Sequence, residues 1–387
     1  MGDVDDLQDG PSRAMRVLML STSYPRDLTD WRGLFIRHLA DALARSPLLR
    51  LSLWNPPGDF APGATPIMLP EEAEWLGQLM AAGGIAHLMR TGGIKTAFAP
   101  LKLLKLLAGV YRRHRDVDVY HINWLQCALP MPANGKPALI TVLGNDMKLL
   151  RVPLMKSLLR RVMRNRHVVI CPNADWMQAP LQAAFGDIAE IRPVAFGIDP
   201  SWYAVQRTPL IAPRRWLAVT RLTRGKLGPL FEWSEPLFRD SGRELHLFGP
   251  MQETVAVPDW VHYHGAATPE QLANDWFPHA QGLITLSRHA EGRPQVMLEA
   301  MAAGLPIIAS RMPAHDSMVV DGTTGSLCSS SDDYAKAVAT LEDAPTNRRC
   351  GEAARAWAAR EVGTWDDCAN RYATIYRQLL SGSPQHA

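Results

Sequence analysis

The stretch Glu291-Gly-Arg-Pro-Gln-Val-Met-Leu-Glu-Ala-Met-Ala-Ala-Gly-Leu-Pro306 joins two short apolar runs, Gly282 to Leu286 and Pro306 to Ser310. Pro294 suits a first helical turn, Gly304 a left-handed stop, and Pro306 prevents continuation. The spacing therefore predicts a helix over 294–303 between two parallel strands, starting at the carboxyl end of the first. Ligands of open parallel sheets gather at that end. Free N–H groups around Pro294, Gln295, Val296 and Met297, together with the helix dipole, suit a phosphate. Glu291 sits in the loop before the helix and Glu299 about a turn and a half inside it, so both carboxylates reach one ligand. Beside a phosphate, a carboxylate accepts hydrogen bonds from sugar hydroxyls. The alternative is an exposed acidic loop residue plus a helix glutamate on a solvated face.

Outward from this segment, short β-rich runs alternate with amphipathic helices along the chain. Arg16-Val-Leu-Met-Leu-Ser21, Leu49 to Trp54, Val117 to His121, Ala138 to Val142, Val168 to Cys171 and Ile191 to Ala195 form one series. Trp216 to Thr220, Leu245 to Phe248, Val261 to His264, Gly282 to Leu286 and Pro306 to Ser310 form another. Such alternation predicts an α/β protein of two Rossmann-like, doubly wound parallel-sheet domains facing a central cleft. The length of 387 residues fits two domains. We place a disordered lead-in over 1–14, with Met15 as an alternative start, domains over 15–200 and 201–364, and a last helix over 365–381.

Two further segments end strands. Arg221-Leu-Thr-Arg-Gly-Lys226 follows the run Trp216 to Thr220; an Arg fork and a Lys point charge there neutralise a diphosphate and its developing charge on departure. A basic surface loop is the plainer reading of the same residues. Gly33 follows the first strand, where a glycine lets backbone approach a phosphate, or where an ordinary turn needs one.

With 41 basic and 38 acidic residues, the chain is too balanced for an obligate nucleic-acid binder. The charge is uneven, however, with 14 Lys/Arg against three Asp between Lys95 and Arg166. Leucines alternate with basic residues over 101–115 and 154–166; such helices read as docking segments for an anionic membrane, or as solvated faces. The longest greasy stretch, Leu101 to Tyr111, is too short to span a bilayer. Five widely spaced cysteines offer no C-x-x-C pair and read as reduced thiols. No G-x-G-x-x-G, G-x-x-x-x-G-K-[ST], H-E-x-x-H or G-x-S-x-G occurs, which argues against a dehydrogenase or zinc hydrolase. His262-Tyr-His264 reads as a packing feature of a strand.

Glu291-Gly-Arg-Pro with Leu298-Glu-Ala-Met-Ala302, and Arg221-Leu-x-x-x-Lys226, resembles the retaining glycosyltransferases of family 4, which have the GT-B fold. Arg16 to Pro25, Asp118-Val-Tyr-His-Ile-Asn-Trp124, Phe196-Gly-Ile-Asp199 and Thr364-Trp-Asp-Asp are similar to that family too, so the resemblance runs from Met15 to Leu380. It implies that the first domain takes the acceptor and the second the nucleotide-sugar donor. Arg221 and Lys226 would bind the donor diphosphate, Glu299 the ribose and Glu291 the transferred sugar; Gly33 would lie against the phosphates, and the last helix would cross back to the first domain. The family's His-Gly-x-Asp reads Leu143-Gly-Asn-Asp146 here, leaving Asn145 or Asp146 to contact sugar or acceptor, with Asp146 grouped with Glu291, Arg221 and Lys226 as catalytic. The usual His-x-His reads His121-Ile-Asn123. No protein nucleophile and no general base is assigned. The implied activity is metal-independent transfer of a sugar to a lipid-linked or growing glycan of the cell surface, by a cytoplasmic protein peripheral on the membrane. A sugar-nucleotide epimerase or hydrolase of the same fold, or a weakly catalytic scaffold subunit suggested by Leu143, are the rival readings.

Overall fold

The structure is a computed structural model describing residues 13–60, 62–84, 98–208, 212–289 and 291–382. The expected lead-in falls almost wholly on 1–12, which lies outside the described residues; so does 85–97, within a stretch 71–115 whose sequence reads as mostly helical.

Seven strands form the first sheet: β1 (Met15–Leu20), β2 (Leu49–Trp54), β3 (Ala64–Pro66), β4 (Val119–Asn123), β5 (Ala138–Val142), β6 (Val168–Pro172) and β7 (Glu190–Ile191). They are all parallel, in the order β3-β2-β1-β4-β5-β6-β7. Six strands form the second: β8 (Arg214–Val219), β9 (Arg243–Phe248), β10 (Val261–Tyr263), β11 (Gly282–Thr285), β12 (Ile307–Ser310) and β13 (Gly325–Cys328). These are also parallel, in the order β10-β9-β8-β11-β12-β13. Every residue of β4, β5 and β6 is buried, because helices cover both faces of the sheet.

Each sheet reverses its winding once, between β1 and β4 and between β8 and β11. At such a switch point the loops leaving two adjacent strands diverge to opposite faces and open a crevice at their carboxyl ends. The loop after β8 carries Arg221 and Lys226, and the loop after β11 carries Glu291. Topology alone therefore puts the two predicted segments side by side.

The last helix, Trp365–Ser381, belongs to the core of the first domain. Its Trp365, Tyr372, Tyr376 and Leu379 are buried with Leu39 and Leu43 of the helix Leu34–Ala44. A reciprocal cap between Thr364 and Asp367 starts it. Just before it the chain passes the linker, where Ile198 pairs with Thr364 and its N–H donates to the Gly363 carbonyl at 3.0 Å.

Some sequence expectations need correction. The run Ile191 to Ala195 pairs as strand only at Glu190–Ile191. Beyond it, Arg192 and Val194 still donate to Ile170 and Pro172. Strands β3, three residues at a sheet edge, and β13, four residues at the other sheet's edge, were not expected. Among the described residues no helix is long and apolar enough to cross a membrane, and all five cysteines are buried and unpaired.

Candidate active site

The helix after β11 runs Gln295–Ala302, capped by Pro294 in extended conformation and stopped by Gly304 at φ +78°. The first N–H groups are fewer than the sequence suggests. Proline has none, and the Met297 N–H already donates to the Pro294 carbonyl at 3.2 Å. Gln295 and Val296 supply the unpaired N–H groups of this first turn. The Gln295 side chain is turned to the linker, its Nε2 donating to the Gly197 carbonyl at 2.9 Å, while Val296 packs against the core.

Lys226 Nζ donates to the Glu291 carboxylate, and both side chains are largely buried. Burial lowers the Lys226 pKa, and the Glu291 charge works against that shift. Thr223 caps the turn Arg224–Leu227 that presents the lysine. Arg221 reaches further out: its guanidinium lies 5.3 Å from the Trp31 ring centroid of the first domain and bonds Gln252 Oε1 at 3.2 Å. Glu299 is partly buried, and burial together with the Asp199 charge pushes its carboxyl up to about 7.

Trp31 belongs to the same loop as Gly33, so the predicted phosphate-facing glycine lies on a segment that meets the Arg221 side of the cleft. Gly33 sits at φ +77°, and a Cβ there would stand 2.5 Å from Ser23 Oγ. Its own loop thus requires the glycine.

Across the cleft, the loops 143–146 and 291–293 touch. A Cβ on Gly144 would stand 2.7 Å from the Gly292 nitrogen, and one on Gly292 would stand 2.5 Å from Asn173 Oδ1. Trp176 Nε1 donates to the Glu291 carbonyl at 3.0 Å, and Arg293 pairs with Asp175 at 3.1 Å. The sequence reading missed Trp176, Asp175 and Arg293. It also missed His289, which packs over Gly225 and whose pKa is lowered by burial and by the Lys226 charge.

The role expected for Asp146 is corrected. Its carboxylate is 3% exposed and accepts the N–H groups of Leu125 at 3.2 Å and Leu143 at 3.1 Å. Burial raises its pKa to about 6. It is a buried strut of the loop, its carboxylate taken up by backbone N–H groups. Asn145 is exposed, with Oδ1 accepting from Lys148 at 3.4 Å. His121 is likewise structural: buried and pushed down to about 3, it is held between Tyr376 Oη at 2.5 Å and Thr141 Oγ1 at 2.9 Å. His262 and His264 stack on His246 beside Trp276. Among the described residues, no three His, Cys, Asp or Glu side chains converge as a metal-ligand set.

The comparisons agree with this geometry. Residues 255–357, which contain both glutamates and their helix, match the family model described as glycosyl transferases group 1. D-inositol 3-phosphate glycosyltransferase of Streptomyces griseus is 31% identical over 135 residues, which is 34% of this chain and 28% of that protein. The match thus spans little more than a quarter of that relative's length. Glycogen synthase of Mycobacterium tuberculosis is 26% identical over 407 residues, 96% of each chain. Among solved structures, sucrose-phosphate synthase of Thermosynechococcus elongatus superposes with TM-score 0.69 at 16% identity, covering 95% of this chain and all of that one. Anabaena HepE in complex with UDP and glucose gives 0.64 at 14% identity, covering 94% of this chain and all of that one. The chain therefore has the GT-B fold, and residues 255–357 within its second half match the glycosyl transferases group 1 model.

Proposed function

We propose that the protein is a retaining glycosyltransferase that moves a sugar from a nucleotide donor to a lipid-linked or growing glycan acceptor of the cell surface. One observation carries the reading. Lys226, Glu291 and the first turn of helix Gln295–Ala302 converge at the β8/β11 switch point, with Arg221 at the rim. Cations beside free N–H groups suit a diphosphate, and a carboxylate next to them suits the sugar that diphosphate carries. The UDP and glucose bound by Anabaena HepE support a donor of this class.

In this reading the donor phosphates replace Glu291 as the partner of Lys226, and the released carboxylate accepts hydrogen bonds from the sugar. Glu299 takes the ribose hydroxyls. The bond from the anomeric carbon to the diphosphate oxygen breaks while the acceptor hydroxyl adds on the same face, its proton passing to the departing phosphate oxygen. Lys226, Arg221 and the Gln295 and Val296 N–H groups stabilise the charge that develops there, so the transfer runs without a metal.

The acceptor would be met at the inner face of the membrane. Phe98 and Leu101 at the start of the helix Ala99–Arg113, and Leu154 and Leu158 around the start of the helix Met155–Met163, are exposed beside Lys102, Lys105, Lys156 and Arg161. The basic surface is smaller than the sequence suggests. Arg113 pairs with buried Glu72, Arg160 with Asp187, and Arg166 is buried against the Pro132 and Lys136 carbonyls.

Thermal-shift measurements with UDP-, GDP-, ADP- and CMP-sugars, with and without EDTA, test the proposal. One nucleotide should raise the melting temperature in both conditions. A protein indifferent to all of them, with and without acceptor or anionic vesicles, would sink it.

A further inference from the structure

Where Gly304 ends the helix Gln295–Ala302, at its carboxyl end, lies a cavity of about 380 Å³. It opens between Arg207 and Thr208, Gly304, and the first half of the helix Ala344–Glu361. Its size is that of a small-ligand site.

Three guanidinium groups line it, Arg207, Arg348 and Arg355, against the one carboxylate of Glu352. Among the described residues none of the three has a carboxylate within 4.0 Å. Arg207 donates to the carbonyls of Ala280 at 2.7 Å and Gly304 at 3.0 Å. Arg355 donates to those of Val205 at 2.7 Å and Ala303 at 2.9 Å. These bonds cap the carboxyl end of the helix, and helix capping alone explains why two cations stand there. It does not account for the rest. Among the described residues, the Nε of Arg207 and the Nε of Arg355 are both buried without a partner. Burial and the neighbouring charges of Arg355 and Arg348 bring the Arg207 guanidinium down to about 10. Arg348, exposed at the mouth, takes no part in the cap and brings a third positive charge to the other two. Like charges gathered around a cavity with carbonyls as their only partners leave a field that an anion satisfies.

We propose that this cavity is a second ligand site, separate from the cleft, for a small phosphate-bearing polyol. The phosphate faces the three guanidinium groups, and Glu352 accepts from a hydroxyl of the ligand. Among the described residues, none of the exposed large apolar side chains lines the cavity.

Titration calorimetry on the full chain with glycerol 3-phosphate and with inorganic phosphate, at constant ionic strength, tests this. Saturable binding of glycerol 3-phosphate is expected in the wild type and in Lys226→Ala, which disables the cleft. Arg348→Glu should weaken it about tenfold or more, and Arg348→Lys should retain most of it, since Arg348 supports charge at the surface without holding the fold. Inorganic phosphate should bind the same variants in the same order but more weakly. No saturable binding in the wild type, undiminished binding in Arg348→Glu, or loss in Lys226→Ala alone would each overturn the proposal.

Discussion

Trp176 Nε1 donates to the backbone carbonyl of Glu291 at 3.0 Å, a bond from the first domain to the second domain's loop after β11. The bond fixes that loop while Gly144 and Gly292 let the two backbones meet. Trp176→Phe removes the donor but keeps an aromatic ring. It should raise the donor KM about fivefold, the worth of one hydrogen bond of about 1 kcal/mol, with kcat changed less. Steady-state kinetics check this, and an unchanged KM would show that the loop holds its place without the indole.

Lys226 and Glu291 neutralise one another before any donor arrives. Removing either member leaves a largely buried, unpaired charge as well as a gap in the site. Lys226→Ala and Glu291→Ala should each lower kcat by about 100-fold or more, in line with the loss of one preorganised electrostatic contact. Because the two side chains are partners, the double variant should be close to either single one rather than the product of both. Multiplicative losses would mean that they act independently.

Glu299 links the site to pH. Its carboxyl titrates near 7 in the folded protein, above the ordinary value of about 4.3 in the unfolded chain. Between those two values the folded state binds more protons, so this group makes the fold less stable as pH rises through that window. Below about 4 the group is protonated in both states, and above about 7 its contribution is constant. Melting temperatures from about pH 4.5 to pH 7.5 should therefore fall more in the wild type than in Glu299→Gln. A ribose hydroxyl donating to Glu299 favours the ionised form, so donor binding should release a proton near pH 7, measurable by calorimetry in buffers of different ionisation enthalpy. Equal slopes in the two proteins would remove Glu299 from this role.

Much of this was legible in the residues. Pro294, Gly304 and Pro306 bracket a helix by covalent geometry, and continuous apolar runs such as Ala138 to Val142 announce strands buried on both faces. Once the strands alternate with helices, the switch point brings Arg221, Lys226 and Glu291 together without any side-chain detail. What escaped depends on contacts between distant segments. Trp176 and Asp175 give no local sign that they meet Glu291 and Arg293 more than 110 residues away. Asp146 looks like a ligand-facing acid in sequence, and only the two backbone N–H groups it accepts reveal a strut. Arg113, Arg160 and Arg166 count as basic surface until their partners are seen.

His121 and Tyr376 join the last helix to the first sheet, and the pair makes that docking testable. The imidazole is fully buried and neutral, held at 2.5 Å from Tyr376 Oη on one side and at 2.9 Å from Thr141 Oγ1 on the other. Tyr376→Phe leaves the ring packing in place but takes the partner from the buried His121 Nδ1. The expected loss is about 1–3 kcal/mol, the cost of one buried unsatisfied polar atom. His121→Phe combined with Tyr376→Phe removes both polar groups and should recover part of that loss, since Thr141 Oγ1, which loses His121, keeps Tyr372 Oη at 3.4 Å. Denaturant unfolding of the three variants measures both effects. If Tyr376→Phe unfolds at the wild-type midpoint, the helix is held by its apolar face alone, through Trp365, Tyr372, Ile375 and Leu379.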